Sequence, residues 1–520
     1  MASTALLRRV LALPPPLRRS VYSSANSHNG AREPDIYDVV CIGGGPVGLS
    51  FVSALRSHPS TRLLRVALID SQDLSTSRTT DDTETYSNRC SSLTPASLRF
   101  LNQIGAWEKV KRDRAQPYHA MDVWDGVSGS KIHFDSVDQQ QTGLLDAVAE
   151  MIPGSRFQAS RRKYEMEDAV VATMCENSNT TSALLQRLHD LSAEQLGTQS
   201  ELKMLDKTRV DSIDLGSEPK DEMLLDLSQW AIVSTSHGQL AARLLVGADG
   251  ANSPVRRFAD IPSPGWDYNQ HGVVATLHVD RQLTVEDLRT AYQRFLPTGP
   301  VALLPLPGNK ASLVWSTTPQ HAAKLKTLSS TDFIAAINAA FRLMPVDIGY
   351  MLSSTSSTNP TDELAWRGTA TPASSTGLPR NFPRVEAVQE GSIASFPLRM
   401  RHASTYTGHR IALIGDAAHT IHPLAGQGLN LGLADAQSLA HQIAYGVDHG
   451  MDVGSCWTLD GYNNDRWAKN NAVIGVVDKL SKIYGVSSGP VVWGRSVGVE
   501  VLERLGGLKG WVMGAAAGMK

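Results

Sequence analysis

The chain has no run of about 18 uninterrupted apolar residues, so nothing in it reads as a helix that could span a bilayer. It has no cationic surplus either. Lysine and arginine number 49 against 51 aspartates and glutamates, whereas a nucleic-acid binder usually carries a basic excess. Cysteine is scarce: Cys41, Cys90, Cys175 and Cys456 are too few and too scattered for a disulfide scaffold or a thiolate metal site. That usage suits a reducing compartment. No internal repeat is visible. What is there is a chain of 520 residues, 42% hydrophobic and 19% charged, long enough for a large core in two or three domains.

The first 32 residues stand apart. They hold Arg8, Arg9, Arg18, Arg19 and Arg32, several serines, and no acidic residue before Glu33. Ala5–Leu13 can form a basic, partly apolar helical turn or two before Pro14-Pro15-Pro16 stops it. This is the pattern of a mitochondrial transit peptide over 1–32; a secretory signal needs a longer apolar centre. A plain basic tail is the competing reading, and these residues are set aside from the fold.

Asp38–Ile42 is a short apolar run that ends in Gly43-Gly44-Gly45-Pro46-Val47-Gly48. A helical apolar pattern follows to Ser57, and Leu64–Ile69 is a second apolar run ending at Asp70. Strand, glycine turn, helix and strand make the opening βαβ unit of a dinucleotide-binding fold. Gly43, Gly45 and Gly48 allow the tight turn, the approach of backbone to pyrophosphate, and the packing of helix on strand, while the helix N-terminus faces phosphate charge. Asp70 lies 22 residues past Gly48, where a carboxylate can bind ribose hydroxyls; it argues against a 2′-phosphate there. The glycine motif alone is weak in a chain with 42 glycines; its context gives it weight.

Further along, Thr94-Pro95 opens a helix, and Tyr118–Phe134 reads as strands. Glu176–Leu191 reads as a helix, and a hairpin around His237-Gly238 runs into Gly247-Ala248-Asp249-Gly250. Gly272–Ser316 is strand-rich, and Thr331–Leu343 is a helix. Ser353–Ser375 is Ser/Thr/Pro-rich and reads as a mobile surface insertion. The most informative run is Ile411–Gly432. An apolar strand delivers Gly415-Asp416, and a turn through Pro423, Gly426, Gln427 and Gly428 feeds a long apolar helix containing Asn430. Such a turn lets backbone approach a flat ring while the helix aims free N–H groups at it. A reduced flavin is negative on its pyrimidine side, and that placement would stabilise it. A tight turn before a core helix is the plainer alternative. His419 and His422 lack a third ligand, so no metal site is expected. Val473–Tyr484 is amphipathic, serving either a core or a membrane surface.

Taken together, Gly43-x-Gly45-x-x-Gly48, Gly247-Ala-Asp-Gly250 with Ser253 and Arg256, and Gly415-Asp416-Ala-Ala-His419 with Pro423 resemble the single-component flavin-dependent aromatic hydroxylases, in that family's order. Glu84–Arg89, Tyr268-Asn-Gln270, Gln293–Pro307 and Ser312–Ser316 are similar to its ubiquinone-biosynthesis branch, and the insertion and N-terminus to mitochondrial members. The resemblance implies an α/β fold: a Rossmann-like FAD-binding domain of the para-hydroxybenzoate hydroxylase type, an inserted β-sheet substrate domain, and a helical C-terminal region. The expected division is FAD-binding parts at 33–115, 176–262 and 401–450; substrate-domain parts at 116–175 and 263–400, the latter with the insertion 353–378; and a helical region at 451–520.

The same resemblance implies the site. Gly43, Gly45 and Gly48 would hold the pyrophosphate of FAD, and Asp70 the adenosine ribose. Arg89 would contact the phosphates or ribityl chain, and Asp249 and Gly250 would lie near the pyrophosphate. Gly415 and Asp416 would meet the ribityl chain, and Pro423, Gly426, Gln427, Gly428 and Asn430 the isoalloxazine ring. The implied reaction is hydroxylation, through a flavin hydroperoxide and O₂, of a polyprenylated hydroxybenzoate-type precursor of ubiquinone; no catalytic base is identified. The implied setting is peripheral, on the matrix side of the mitochondrial inner membrane. Implied partners are ferredoxin and its reductase as electron source and other subunits of a coenzyme Q biosynthetic complex. Rival readings are a hydroxylase of a small soluble phenol, a flavin-linked reductase of prenyl chains, and a non-catalytic flavoprotein that stabilises such a complex.

Overall fold

The strand Asp35–Ile42 is buried at every residue after Asp35, as its unbroken apolar run requires of a strand covered on both faces. In the computed structural model, which describes residues 34–74, 85–135, 170–194, 201–218, 225–280, 289–353, 359–423 and 426–504, it is the centre of the first sheet. Gly238–Gly247 pairs with it in parallel on one side and Val66–Ile69 on the other. Leu202–Leu205 adds beyond Val66–Ile69, and Ile411–Leu413 lies parallel to Gly238–Gly247, with Leu413 opposite Gly247. The C-terminal ends of three strands therefore emerge at one edge, each followed by one of the glycine-bearing stretches. Ligands of open α/β sheets bind at that edge.

Helix Pro46–Ser57 covers this sheet and packs on helix Gln427–Asp448. A Cβ on Gly432 would stand 2.6 Å from Val47 Cγ2, so glycine there lets the two helices close up. A second, nine-stranded sheet is largely antiparallel and runs from His419–Thr420 through Ala394–His402, Gly265–Val279 and Lys310–Thr317 to Ala120–Asp125 and Lys131–Asp135. Helix Ser330–Arg342 backs it, over a separate core that holds Trp124, Trp315, Phe333 and Phe341. The architecture is the expected α/β fold with an added β-sheet layer.

Two details differ from the sequence reading. Among the described residues of 116–175, only Ala120–Asp125 and Lys131–Asp135 join the large sheet. Ala115–Tyr118 and Ala172–Glu176 instead form a three-stranded sheet with Cys90–Leu93. The buried pair of Arg114 with Glu176 at 2.7 Å, and the bond from Ser87 N–H to Glu176, hold that small sheet together; residues 136–169 lie outside the described residues.

The Ser/Thr-rich stretch contains a helix, Pro360–Ala370, capped by the Asn359 side chain, which accepts from the N–H groups of Thr361 and Asp362. Asn, Pro and Thr are the residues of a helix start as much as of a loop, and composition could not separate them. The described part of the C-terminal region is helical, as expected, and packs on both sheets. Val473–Tyr484 ends a 29-residue helix, Cys456–Tyr484. Leu459 and Tyr462 of that helix enter the core of the first sheet, and Val477 packs on Phe295 of the second. Among the described residues no helix is long and apolar enough to cross a membrane. The transit-peptide assignment over 1–32 lies outside the described residues.

Candidate functional site

The three stretches meet. Gly43 has a backbone φ of +115°, and a Cβ on it would lie 2.2 Å from Ala248 O; a Cβ on Gly48 would lie 1.9 Å from Gly43 O. Both glycines are therefore demanded by the protein itself. Ile414 N–H donates to Gly247 O, and Gly415 sits against Val47, so the third stretch closes on the first two. Arg256 completes the join by donating to Ala417 O at 2.6 Å and Ala251 O at 2.7 Å.

Gly43, Gly45, Asp70, Asp249 and Gly250 line a cleft of about 820 Å³ at this edge, together with Arg209 and Arg257. Nothing lies within 4 Å of where a Cβ on Gly45, Gly250 or Gly428 would stand. Gly250 has a φ of +83°, which glycine adopts without strain, whereas at Gly45 and Gly428 neither packing nor φ calls for glycine and close passage of a ligand does. Asp249 uses one carboxylate oxygen to accept from Val255 N–H at 3.1 Å, while the other is buried without a partner among the described residues. Burial raises its pKa, opposed by the Ser253 hydroxyl, the local backbone N–H groups and Arg256. Asp70 is tied to the glycine loop: it accepts from Gly44 N–H at 2.5 Å and from Gln72 N–H at 2.7 Å.

Asp416 follows Gly415 in a short 3₁₀ turn with its side chain exposed. It sits in a recess walled closely enough that lost hydration raises its pKa. The turn then reaches Pro423; residues 424 and 425 lie outside the described residues. Gly426, at φ +59°, caps the N-terminus of helix Gln427–Asp448 without any side-chain acceptor. The positive end of that long helix's dipole is thus presented at the turn.

Asn430 behaves differently from the reading that set it against a ring. Its Oδ1 accepts from Thr94 N–H at 3.0 Å and Ser97 Oγ at 2.7 Å, and its Nδ2 donates to the carbonyls of Ser92 and Gly426. All its capacity is committed to fixing the turn. Arg89 is exposed at the start of Cys90–Leu93, its carbonyl accepting from Asn177 N–H; the 820 Å³ cleft does not include it.

Sequence reasoning missed the support beneath the third stretch. Asp435, fully buried on the long helix, accepts from Gly415 N–H at 3.1 Å, His419 Nε2 at 2.6 Å, Arg466 Nε at 3.0 Å and Asn470 Nδ2 at 2.9 Å. Burial alone would raise its pKa; His419, Arg466 and Asn470 outweigh that and hold it below the usual carboxylate value. A lone acid in the apolar run Leu429–Ala436 was a readable signal, since a charge there needs partners. His419 is thus one member of a hydrogen-bonded cluster. His422, also buried, shares a hydrogen bond with Gln270 Oε1 at 3.2 Å, and burial pushes its pKa down to about 4. Thr208 and Arg209, which also line the cleft, belong to no motif that could have been read.

A parallel sheet edge, an open glycine loop, an Asp249 oxygen without a partner among the described residues and the N-terminus of a long helix suit a dinucleotide, and the residues fit FAD. The family described as FAD binding domain matches residues 36–350 and 381–475, and the chain belongs to it. It is an FAD-dependent aromatic-ring monooxygenase. Within that class it falls in the ubiquinone-biosynthesis branch. The "Ubiquinone biosynthesis monooxygenase COQ6, mitochondrial" of Schizosaccharomyces pombe is 38% identical over 92% of both chains. The protein of the same name from Homo sapiens is 32% identical over 94% of both. The relatives are mitochondrial, and so is this protein. Among solved structures, the p-nitrophenol 4-monooxygenase PnpA of Pseudomonas putida aligns over 93% of this chain and 97% of its own, with a TM-score of 0.58 at 18% identity. The probable FAD-dependent monooxygenase PqsL of Pseudomonas aeruginosa aligns over 90% and 100%, with a TM-score of 0.57 at 19%. At those identities the likeness speaks for the fold.

Proposed function

We propose that this protein hydroxylates the aromatic ring of a polyprenylated hydroxybenzoate-type intermediate of ubiquinone biosynthesis. It would do so as a peripheral protein on the matrix face of the inner membrane, within a biosynthetic complex and with electrons from ferredoxin and its reductase. The observation that carries the substrate is the 38% identity, over nearly the whole chain, to a ubiquinone biosynthesis monooxygenase.

Bound FAD supplies the reductive activation of O₂ that ring hydroxylation needs. The chain's own residues do the rest. Gly43, Gly45 and Gly48 would admit the pyrophosphate, and Asp70, already anchoring the loop, would meet the ribose. Asp249 would offer its unpaired oxygen to a hydroxyl or to a water on the phosphates. Asp416 would accept from ribityl hydroxyls, which its exposed carboxylate can do without rearrangement. The helix N-terminus at Gln427 and Gly428 would stabilise negative charge on the ring through its dipole, with Pro423 and Gly426 shaping the turn and Asn430 holding it still. Arg89 would reach the phosphate side from outside the cleft. A buried neutral His422 beside Pro423 keeps charge and water away from the reacting face.

The test is mass analysis of quinone intermediates in mitochondria that lack this protein, rescued by wild type or by Asp416→Ala. Accumulation of an under-hydroxylated prenylated ring, cleared by wild type and not by the variant, is expected. An unchanged quinone profile would sink the proposal.

A further inference from the structure

The end of the long helix and the helix after it carry an apolar face that no described part of the chain covers. Val476, Leu480 and Ile483 recur at i, i+4, i+7 on helix Cys456–Tyr484, and all three are exposed. On helix Pro490–Arg504, Pro490, Trp493 and Val497 recur at i, i+3, i+7; Trp493 is 71% exposed. Val486, in the turn between the helices, is exposed as well. Isolated exposed apolar residues are ordinary, but two helical rows joined at one turn form a patch.

The patch is firmly mounted. Arg495, on the opposite side of its helix from Trp493 and Val497, is buried in a two-point pair with Asp125 at 2.8 and 3.1 Å. It also donates to the carbonyls of Ile483 and Val486, fixing the turn. Tyr484 stacks on Phe295 at 3.9 Å between ring centres. One side of the hairpin is locked to the second sheet, and no described residue covers the other.

Charge identifies the occupant. From 471 to 498 the chain has four ionised groups. Asp478 and Arg495 are turned inward, and the two that reach solvent are cations, Lys479 and Lys482, the latter also paired with Asp478 at 2.8 Å; Glu500 and Glu503 follow further along the second helix. Lys482 also lies 4.5 Å from the ring centre of Trp266, itself partly exposed, which adds an aromatic edge. An apolar face with tryptophans and a lysine rim, its nearest exposed acid Asp267 paired with Arg401, matches the interface of an anionic lipid bilayer. The same helix also reaches the site. Asp478 accepts from Tyr268 OH at 3.3 Å, and Tyr268 packs edge-on against His422, the neighbour of Pro423.

We propose that the face formed by Val476, Leu480, Ile483, Val486, Trp493 and Val497 docks on an anionic lipid surface, with Lys479 and Lys482 at the headgroups. This rests on the peripheral-membrane part of the proposed function and adds the surface responsible. The test is co-sedimentation of the FAD-loaded protein with phosphatidylcholine vesicles, with and without phosphatidylglycerol. Wild type sediments with both, and more with the anionic vesicles. Trp493→Ser with Val497→Ser lowers binding to both by roughly tenfold or more. Lys479→Gln with Lys482→Gln lowers only the anionic increment, by about fivefold per lysine. Both variants keep the melting temperature, the FAD content and the hydroxylation of a short-tailed substrate. Wild type left in the supernatant, an apolar variant that sediments like wild type, or a dimer that the apolar variant dissolves would each overturn the proposal. Absence of hydroxylation by wild type, with vesicle binding intact, refutes the substrate reading and leaves this one standing.

Discussion

Replacing Asp435 by alanine removes the one group that holds Gly415, His419, Arg466 and Asn470 together. Arg466 is left largely buried; its remaining bond at this cluster is to Asn470 Oδ1 at 2.6 Å. Breaking a buried pair by removing one partner costs about 3–5 kcal/mol, because an uncompensated charge stays behind. The Gly415 N–H also loses its acceptor, which adds about 1–3 kcal/mol if water cannot reach it. The expected result is a clear fall in the melting temperature of the FAD-free protein and, because Gly415 leads directly into Asp416, a weaker FAD affinity measured by quenching of flavin fluorescence. Asp435→Leu combined with Arg466→Met should cost much less than the single change, since it removes both charges at once. The reasoning fails if Asp435→Ala melts like wild type, or if the two substitutions add.

The glycines of the first loop should separate by role. Gly45→Ala, with open space at its Cβ, leaves the FAD-free melting curve unchanged and lowers FAD affinity by on the order of tenfold or more. Gly48→Ala drives a Cβ into Gly43 O and yields little folded protein; equal behaviour of the two variants would contradict the split. Asp249→Asn keeps an acceptor for Val255 N–H, so stability holds while FAD binding weakens by a few fold; isothermal titration of FAD-free protein checks it. Stability should also fall on acidification. Burial, followed for His402 by the nearby His419, holds the pKa of His402 and His422 down at about 4, from an ordinary 6.5. Between those values the unfolded chain takes up the protons, so these stabilising contributions are complete above about pH 6.5 and fade toward pH 4. Each is on the order of 3 kcal/mol; a pH series of denaturant midpoints for wild type and His422→Gln measures it, and parallel curves would refute it.

How much of this was legible depends on where each residue's partners lie in the sequence. The opening βαβ unit was readable because its signals are local: an apolar run, three glycines, a proline at the first helical turn, and an acid after the next run. The family's three stretches could be ordered along the chain, but their meeting point is set by parallel pairing across some two hundred residues, which periodicity does not reveal. The same limit explains Asn430. The family resemblance set it beside the ring, while its hydrogen-bond partners Ser92, Thr94 and Ser97 lie more than three hundred residues away.

The C-terminal helix shows why an amphipathic pattern could not decide between core and membrane. Val473–Tyr484 has apolar residues on more than one face. Val477 and Tyr484 go to Phe295, and Val476, Leu480 and Ile483 go to solvent. The core reading holds for one side of the helix, and the other side faces solvent. Only the sheet tells them apart, because Phe295 sits on Thr290–Leu296, a strand paired with Ala120–Asp125, whose last residue anchors Arg495. Arg495→Met therefore separates the two sides: it frees the hairpin from the sheet and costs about 3–5 kcal/mol by stranding Asp125, while leaving the outer apolar residues themselves unchanged. Melting of the second sheet's domain should drop, and vesicle binding should persist with a looser helix. If instead the variant keeps wild-type stability, the anchoring role read from the buried pair is wrong.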